Sequence, residues 1–167
     1  MHMSEHILKR HNKTLLLYHL VFPAKYRRKI FNDEVSATLR QVCLEISGRF
    51  EIHFVEIGMD EDHVHFLVQS VPNLAVSRIV TIIKSITARE IFQRHKEVKK
   101  FLWGGELWTS GFYANTVSEY SNAESIQRYI ANQGAYKNFL FNNLPLTFDI
   151  AYCLSSPGYL LFRKSES

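Results

Sequence analysis

The sequence predicts an α+β fold of the ferredoxin-like (RRM-like) type, in which an antiparallel sheet has its helices on one face. Apolar runs indicate strands, and apolar residues at helical spacing indicate helices. Along the chain these segments follow the order strand, helix, strand, strand, helix, strand, which is the split βαβ pattern. The length of 167 residues suits one domain. We expect a single domain over 1–167, with its core at 13–133 and a tail at 134–167.

The first half of the chain contains three predicted strands and one helix. Thr14–Phe22 is an apolar and aromatic run, typical of a buried strand. Asn32 is suited to cap a helix, and apolar residues at helical spacing continue that helix to Gly48. Two further strands are predicted at 50–58 and 63–70, and the acidic turn between them indicates a hairpin.

The next segments predict a long helix and a fourth strand. The helix opens at Pro72 and reaches roughly His95, with an apolar stripe on one face and a polar stripe on another. Residues 96–105 have the composition of a loop. Residues 107–118 are strand-like but interrupted by Gly111. This strand completes the ferredoxin-like order.

A capping box predicts one additional helix near the end of the core. Ser121 is the cap and Glu124 follows three residues later. The helix is expected to reach Gln133, where Gly134 is suited to end it.

Composition excludes several classes of protein. Hydrophobic residues make up 46% and charged residues 22% of the chain, which is ordinary for a globular domain. No apolar run is long enough to span a bilayer, and the N-terminus lacks the core of a signal peptide. We therefore expect a cytoplasmic protein without a membrane partner. Cys43 and Cys153 exclude a disulfide framework or a zinc finger, and the helical spacing around Cys43 predicts buried packing.

The segment His63-Val64-His65 is the first motif that could carry chemistry. Residues i and i+2 of a strand share a face, so both imidazoles should lie together while Val64 faces the core. Two imidazoles at that spacing can bind one divalent metal. Taken alone, the motif also fits two histidines on a solvated sheet face. The acidic turn 60–62 is either a solvated turn or a carboxylate metal site, and Asp62 is a candidate to orient a ligand histidine.

Tyr129 and Gln133 are the second motif, four residues apart on one face of the predicted helix. Gln133 offers an amide oxygen as a third metal ligand, and Tyr129 offers a hydroxyl one turn away. Three neutral ligands would leave a cation its full charge for a phosphate oxygen, which would help a tyrosine hydroxyl to attack. The alternative is an ordinary amphipathic helix. Tyr120 and Tyr136 flank the helix as rival nucleophiles.

The sequence resembles the single-tyrosine HUH transposases of the smallest insertion sequences, where HUH means His-hydrophobe-His. The resemblance rests on GMDEDHVHFLVQ, on YIANQ about sixty residues later, and on the flanking segments HLVFPAKYRRKIF and LWTSGFYANTVS. It implies that a C-terminal helix carries the catalytic Tyr129. It also implies that His63, His65 and Gln133 bind a divalent metal, Mg²⁺ or Mn²⁺.

The resemblance implies an enzyme that cuts and rejoins single-stranded DNA at insertion-sequence ends. The expected intermediate is a 5′-phosphotyrosine, and the expected substrate has hairpin ends. A homodimer is also implied, in which the tyrosine helix of one chain can complete the partner's site. The alternatives are a domesticated palindrome-processing relative, a non-catalytic RRM-like nucleic-acid-binding module and a metal-dependent nuclease that uses water.

The net charge of +4 permits a polyanionic partner. Four cations lie just after the first strand, namely Lys25, Arg27, Arg28 and Lys29, and we call them the basic cluster. Their segment resembles the corresponding segment of the family, which favours contact with phosphates. Tyr26, which lies among them, could stack on a base. A merely solvated face is the alternative. The candidate DNA contacts are Lys25, Tyr26, Arg27, Arg28 and Lys29, with Arg78, Lys84 and Arg89 on the long helix as weaker candidates.

Overall fold

A computed structural model of the chain describes residues 6–117. Within them, a short hairpin precedes the predicted order of elements, and a short helix precedes the last strand. The strands are β1 (Ile7–Lys9), β2 (Asn12–Thr14), β3 (Leu16–Pro23), β4 (Ile52–Asp60), β5 (His63–Ser70) and β6 (Tyr113–Val117). The helices are α1 (Asp33–Arg49), α2 (Val76–Arg94) and α3 (Lys96–Phe101).

Four strands form the central antiparallel sheet in the order β4-β5-β3-β6. β5 pairs with β4 on one side and with β3 on the other, so the two central strands are β3 and β5. β1 and β2 form a separate two-stranded sheet. The predicted α+β fold with an antiparallel sheet is therefore confirmed.

One face of the sheet packs against α1 and α2. Phe22, Val64 and Phe66 from the central strands join Leu39 and Ile79 from the two helices in a single buried cluster. Full burial of such a side chain contributes about 1.5–3 kcal/mol relative to exposure. This layer therefore provides most of the apolar stabilisation of the described domain and holds β3 and β5 in register.

Two local features of α1 follow the prediction. The Asn32 side chain accepts a hydrogen bond of 2.9 Å from the backbone N–H of Val35, so it caps the helix. Cys43 is fully buried in the core cluster, and burial raises the pKa of its thiol. A thiol in that state packs as a small apolar group and is inert.

Two helix boundaries differ from the prediction. The expected loop over 96–105 is wrong at its start, because Lys96–Phe101 form α3. Val98 is its one buried residue, and a single apolar anchor gives no periodicity to recognise. α2 begins at Val76 rather than at Pro72, and the residue before it has an extended backbone.

Two strand boundaries also differ. β4 continues to Asp60, which pairs with His63, so the turn of the hairpin consists of residues 61–62 alone. The strand expected over 107–118 begins only at Tyr113. Before Tyr113, Trp108 forms an isolated β-bridge with Ala24.

The predicted capping-box helix lies outside the described residues, together with Tyr129, Gln133 and the tail at 134–167. Among the helices within residues 6–117, none combines the length and apolarity that crossing a membrane requires.

Candidate active site

His63 and His65 lie on the same face of β5, as their spacing predicts. Their ring centroids are 5.0 Å apart. His65 is fully buried and His63 is largely buried. The alternative of two histidines on a solvated sheet face therefore does not hold. We call these two residues the histidine pair.

Each member of the histidine pair uses its Nδ1 atom for a contact inside the protein. Nδ1 of His63 lies 2.7 Å from Oδ1 of Asp62, and Nδ1 of His65 lies 3.0 Å from Nε2 of His19. Metal-binding histidines characteristically use the second ring nitrogen in this way, because the contact fixes the ring orientation and the tautomer. Both Nε2 atoms are thereby the metal-binding candidates.

The histidine pair is a partial ligand set within residues 6–117. No group of three or more His, Cys, Asp or Glu side chains there could hold a metal ion. The acidic turn does not form a carboxylate site, because Asp62 contacts His63 and Glu61 pairs with Lys29 at 2.6 Å. The predicted third ligand, Gln133, lies outside the described residues.

Arg27 holds Asp62 from the side opposite His63. Its Nε and Nη2 atoms each lie 2.8 Å from Oδ2 of Asp62. Burial alone would raise the pKa of Asp62, but the hydrogen bond with His63 and the nearby Arg27 outweigh it and hold this pKa below its usual value. Asp62 is therefore an anion that can accept from His63, which supports its predicted orienting role.

His19 is a site residue that sequence reasoning missed. Its ring lies nearly parallel to that of His65, with centroids 5.3 Å apart and planes inclined by 17°, and it makes an edge-to-face contact with Tyr113. Burial lowers the pKa of His19 to about 4 and holds that of His65 well below its usual value. Two neutral imidazoles suit one N–H···N hydrogen bond. A lone histidine on a strand gives no sequence signal for such a contact.

The sheet face that carries the histidine pair is apolar as well as buried. Leu17, Val21 and Leu67 are at most 8% exposed, although they lie outside the core cluster that packs on α1 and α2. Hydrogen bonds are electrostatically stronger in such surroundings than in water. The buried, apolar surroundings therefore strengthen the contact between His19 and His65.

The basic cluster lies against the hairpin turn beside the histidine pair. The backbone N–H of Ala24 donates to the carbonyl of Asp62, and that of Ile30 donates to the carbonyl of Glu61, both at 2.9 Å. Three of its four cations form ion pairs within the chain. These ion pairs are Lys25 with Glu106, Arg27 with Asp62, and Lys29 with Glu61. The cluster therefore offers less net positive charge than its sequence indicates.

Tyr26 and Arg27 both have left-handed backbone conformations, with φ of 57° and 53°. Residues other than glycine in that region cost on the order of 1–3 kcal/mol each, and they concentrate at functional sites. Here the turn gives neighbouring residues different contacts. Tyr26 is 43% exposed and stacks on Trp103, whereas Arg27 contacts Asp62.

The three cations predicted on the long helix have different surroundings. Arg78 is exposed, and Arg89 is exposed beside Glu90 at 3.4 Å. Lys84 Nζ donates to the carbonyls of residues 109–111 at 2.8–3.3 Å, and burial lowers its pKa to about 8. An ammonium has three donors, so Lys84 can hold this loop against α2, and its predicted contact with DNA stays a prediction.

Comparison with known proteins identifies the family. Residues 12–133 match the family of IS200-like transposases. The chain belongs to this family. The transposase is 34% identical over 118 residues to the ISDra2 transposase TnpA of Deinococcus radiodurans, an alignment that covers 71% of this chain and 84% of that protein. It is 27% identical over 123 residues to the transposase for insertion sequence element IS200 of Salmonella typhimurium, with 74% and 80% covered.

Solved structures agree with this assignment. A crystal structure of a Deinococcus radiodurans R1 protein assigned as a transposase matches with a TM-score of 0.63 and 32% identity, covering 78% of this chain and 99% of that one. A REP-associated tyrosine transposase bound to a REP hairpin matches with a TM-score of 0.53, covering 77% and 70%. Its 13% identity shows a common fold alone.

The family and the fold predicted from the sequence are therefore confirmed. As an IS200-like transposase, the chain is a DNA-cleaving and strand-transferring enzyme of an insertion sequence. The roles of Tyr129, of the metal ligands and of the DNA contacts stay predictions.

Proposed function

We propose that this transposase cuts and rejoins single-stranded DNA at insertion-sequence ends through a 5′-phosphotyrosine on Tyr129. The observation that carries the proposal is the geometry of the histidine pair. Each Nδ1 is held by Asp62 or by His19, and the two rings lie on one face of β5, so that their Nε2 atoms are the proposed ligands of a divalent cation. Gln133 is the proposed third ligand.

The proposed residues divide the chemistry between them. His63, His65 and Gln133 would hold Mg²⁺ or Mn²⁺ through uncharged ligand atoms. When bound, such a cation supplies Lewis-acid polarisation of the scissile phosphate and orients it. Asp62 and His19 would keep the histidine rings fixed, so that the phosphate is bound in one geometry.

Tyr129 is the proposed nucleophile of the covalent step. Its phenolic oxygen loses its proton and bonds to phosphorus, while the bond from phosphorus to the 3′ oxygen breaks. The departing 3′ oxygen takes up a proton and becomes a free hydroxyl. Attack by a 3′-hydroxyl on the phosphotyrosine reverses these steps, so the strand is rejoined without a separate energy source.

A DNA strand with a hairpin is the proposed partner. A REP-associated tyrosine transposase of the same fold is bound to a REP hairpin, which supports a substrate of this kind. The exposed guanidinium groups of Arg28, Arg78 and Arg89 are available for phosphates. We further propose a cytoplasmic homodimer in which the predicted helix around Tyr129 can complete the partner's site.

A denaturing-gel assay for a covalent adduct tests the proposal. Labelled single strands from the DNA that flanks the gene are mixed with the protein and Mg²⁺ or Mn²⁺. We expect a denaturant-resistant band that Tyr129→Phe abolishes, whereas Tyr120→Phe and Tyr136→Phe retain it. Hairpin binding without a band would favour a binding module. Cleavage that survives Tyr129→Phe without an adduct would favour a nuclease that uses water.

The histidine pair is tested in the same assay. His63→Ala or His65→Ala should abolish the adduct while hairpin affinity stays within a few-fold of the parent. Adduct formation by either variant would show that the metal ligands are assigned wrongly.

A further inference from the structure

We infer that Tyr26, Phe101 and Trp103 form a stacking platform for unpaired bases of the DNA strand, beside the histidine pair. These three residues are called the aromatic platform. The inference rests on the proposed function, because it says where the single-stranded substrate lies on this enzyme. Trp103 and Phe101 carry no predicted role from the sequence.

The aromatic platform exposes an unusual amount of ring surface. Trp103 is 77% exposed, Phe101 50% and Tyr26 43%. Tyr26 and Trp103 are stacked, with ring centroids 6.1 Å apart and planes inclined by only 12°. Scattered single apolar residues are ordinary on a protein surface, but contiguous large aromatic groups mark interaction sites. A stacked pair with its outer face exposed is ready to extend the stack by one more ring.

Cations are interleaved with the rings of the aromatic platform. The Arg28 guanidinium lies 5.0 Å from the centre of the Phe101 ring, and Lys25 Nζ, which also pairs with Glu106, lies 5.3 Å from that of Tyr26. Lys99 and Lys100 on the adjoining α3 are exposed, and neither forms an ion pair with another residue in the range 6–117.

This pattern favours a single DNA strand over a protein as the occupant. Each nucleotide of an unpaired strand presents a flat ring and a phosphate, and both have counterparts here. Grooves for single-stranded DNA combine aromatic rings that stack on bases with cations that follow the backbone. Because every base has a stacking face, such a surface binds without reading sequence. The aromatic platform would thus hold the strand while other contacts select the hairpin.

One turn of the chain connects the aromatic platform to the histidine pair. Tyr26 stacks on Trp103, and the next residue, Arg27, contacts Asp62, which in turn contacts His63. The left-handed conformations of Tyr26 and Arg27 allow adjacent side chains to serve both places. A strand whose bases stack on the aromatic platform therefore passes close to the hairpin turn that orients His63.

Tryptophan fluorescence tests the inference directly. The chain has two tryptophans, and Trp108 is 5% exposed and hydrogen-bonded to Thr87, so Trp103 is the accessible reporter. The full-length Tyr129→Phe protein is titrated with oligo-dT and with an abasic strand of equal length and charge. We expect oligo-dT to quench the emission and the abasic strand to leave it unchanged.

Affinity measurements on variants complete the test. Trp103→Ala should weaken oligo-dT binding roughly tenfold. Binding of the abasic strand and the salt dependence of binding should not change, because no charge is removed. Trp103→Phe should retain most of the affinity. Leu44→Ala is the matched control, since Leu44 is 72% exposed on α1.

Several results would overturn the inference. Unchanged oligo-dT affinity in Trp103→Ala, or an equal loss on both strands, would show that the rings do not stack on bases. If Trp103→Ala lost self-association in sedimentation while its DNA binding stayed intact, the surface would be assigned to a second copy of the chain. A protein that binds neither strand would overturn the aromatic platform, while the adduct assay on hairpin strands tests the proposed function separately. An intact Tyr129 adduct together with unchanged oligo-dT affinity in Trp103→Ala would overturn the aromatic platform alone.

Discussion

Nε2 of His19 lies 3.0 Å from Nδ1 of His65, with the two buried rings nearly parallel. The contact joins the two central strands, so His65 is held by a neighbour 46 positions away in the chain. His63 is held instead by Asp62, the residue just before it. One histidine thus has a neutral partner from another strand, and the other has an anionic partner from its own turn.

The His19 contact predicts a loss of metal affinity when its ring nitrogen is removed. Because such outer contacts typically change affinity 10- to 100-fold, His19→Leu should weaken Mn²⁺ binding by roughly tenfold or more. His19→Gln should weaken it less, since the amide oxygen can still accept a hydrogen bond. Calorimetric titration of the DNA-free protein with Mn²⁺ measures both. His53→Leu, at an exposed histidine of β4, is the control, and equal affinities for all variants would contradict the role.

Substitution of the neighbouring arginines Arg27 and Arg28 should impair different properties of the enzyme, namely cleavage and DNA affinity. Arg27 contacts Asp62, whereas the Arg28 guanidinium lies over Phe101. Arg27→Gln should therefore reduce cleavage at least tenfold with little effect on DNA affinity, because it loosens the support of His63. Arg28→Gln should lower affinity and reduce the salt slope of binding by about 1. Parallel binding and cleavage assays separate the two, and an equal loss of salt slope would show that Arg27 also contacts phosphate.

Local patterns explain why much of the fold could be predicted from the sequence. The Asn32 cap, the burial of Cys43 and the shared face of His63 and His65 depend on spacings of a few residues. Such spacings are fixed by the periods of helix and strand. The order of elements follows from the same periods, and from it the antiparallel sheet.

Contacts between distant segments explain what the sequence did not predict. Lys25 pairs with Glu106 from 81 positions away, so a run of cations in the sequence is partly neutralised in the fold. Trp103 meets Tyr26 only because the segment after α3 returns to the turn that follows β3. Tertiary pairings of this kind leave no local pattern, and they decide which charges and rings are available.

The buried hydroxyl of Thr87 should contribute to the free energy of unfolding. Its hydroxyl donates to the carbonyl of Ile83 at 2.6 Å and accepts from the indole N–H of Trp108 at 2.9 Å. Thr87→Val keeps the shape but leaves that N–H without an acceptor, which should lower the free energy of unfolding by about 1–3 kcal/mol.

The same helix offers a matched control for Thr87. Thr81 is exposed and its hydroxyl donates only to the carbonyl of Ser77, so Thr81→Val should change the free energy of unfolding by less than about 0.5 kcal/mol. Urea unfolding followed by circular dichroism measures both variants. Equal effects would show that the contact with Trp108 adds nothing.

Because Lys84 is partly buried, the free energy of unfolding should rise with pH in the alkaline range. Burial lowers its pKa to about 8 in the folded protein, against about 10.4 for an unfolded chain. Between these values the unfolded state holds more protons, so the contribution of Lys84 to the free energy of unfolding increases with pH. Below about pH 8 both states are protonated and this contribution is flat. The parent should therefore gain stability relative to Lys84→Met from pH 8 to pH 10 in urea unfolding. If the free energies of unfolding of the parent and of Lys84→Met changed in parallel with pH, burial would not lower the pKa of Lys84.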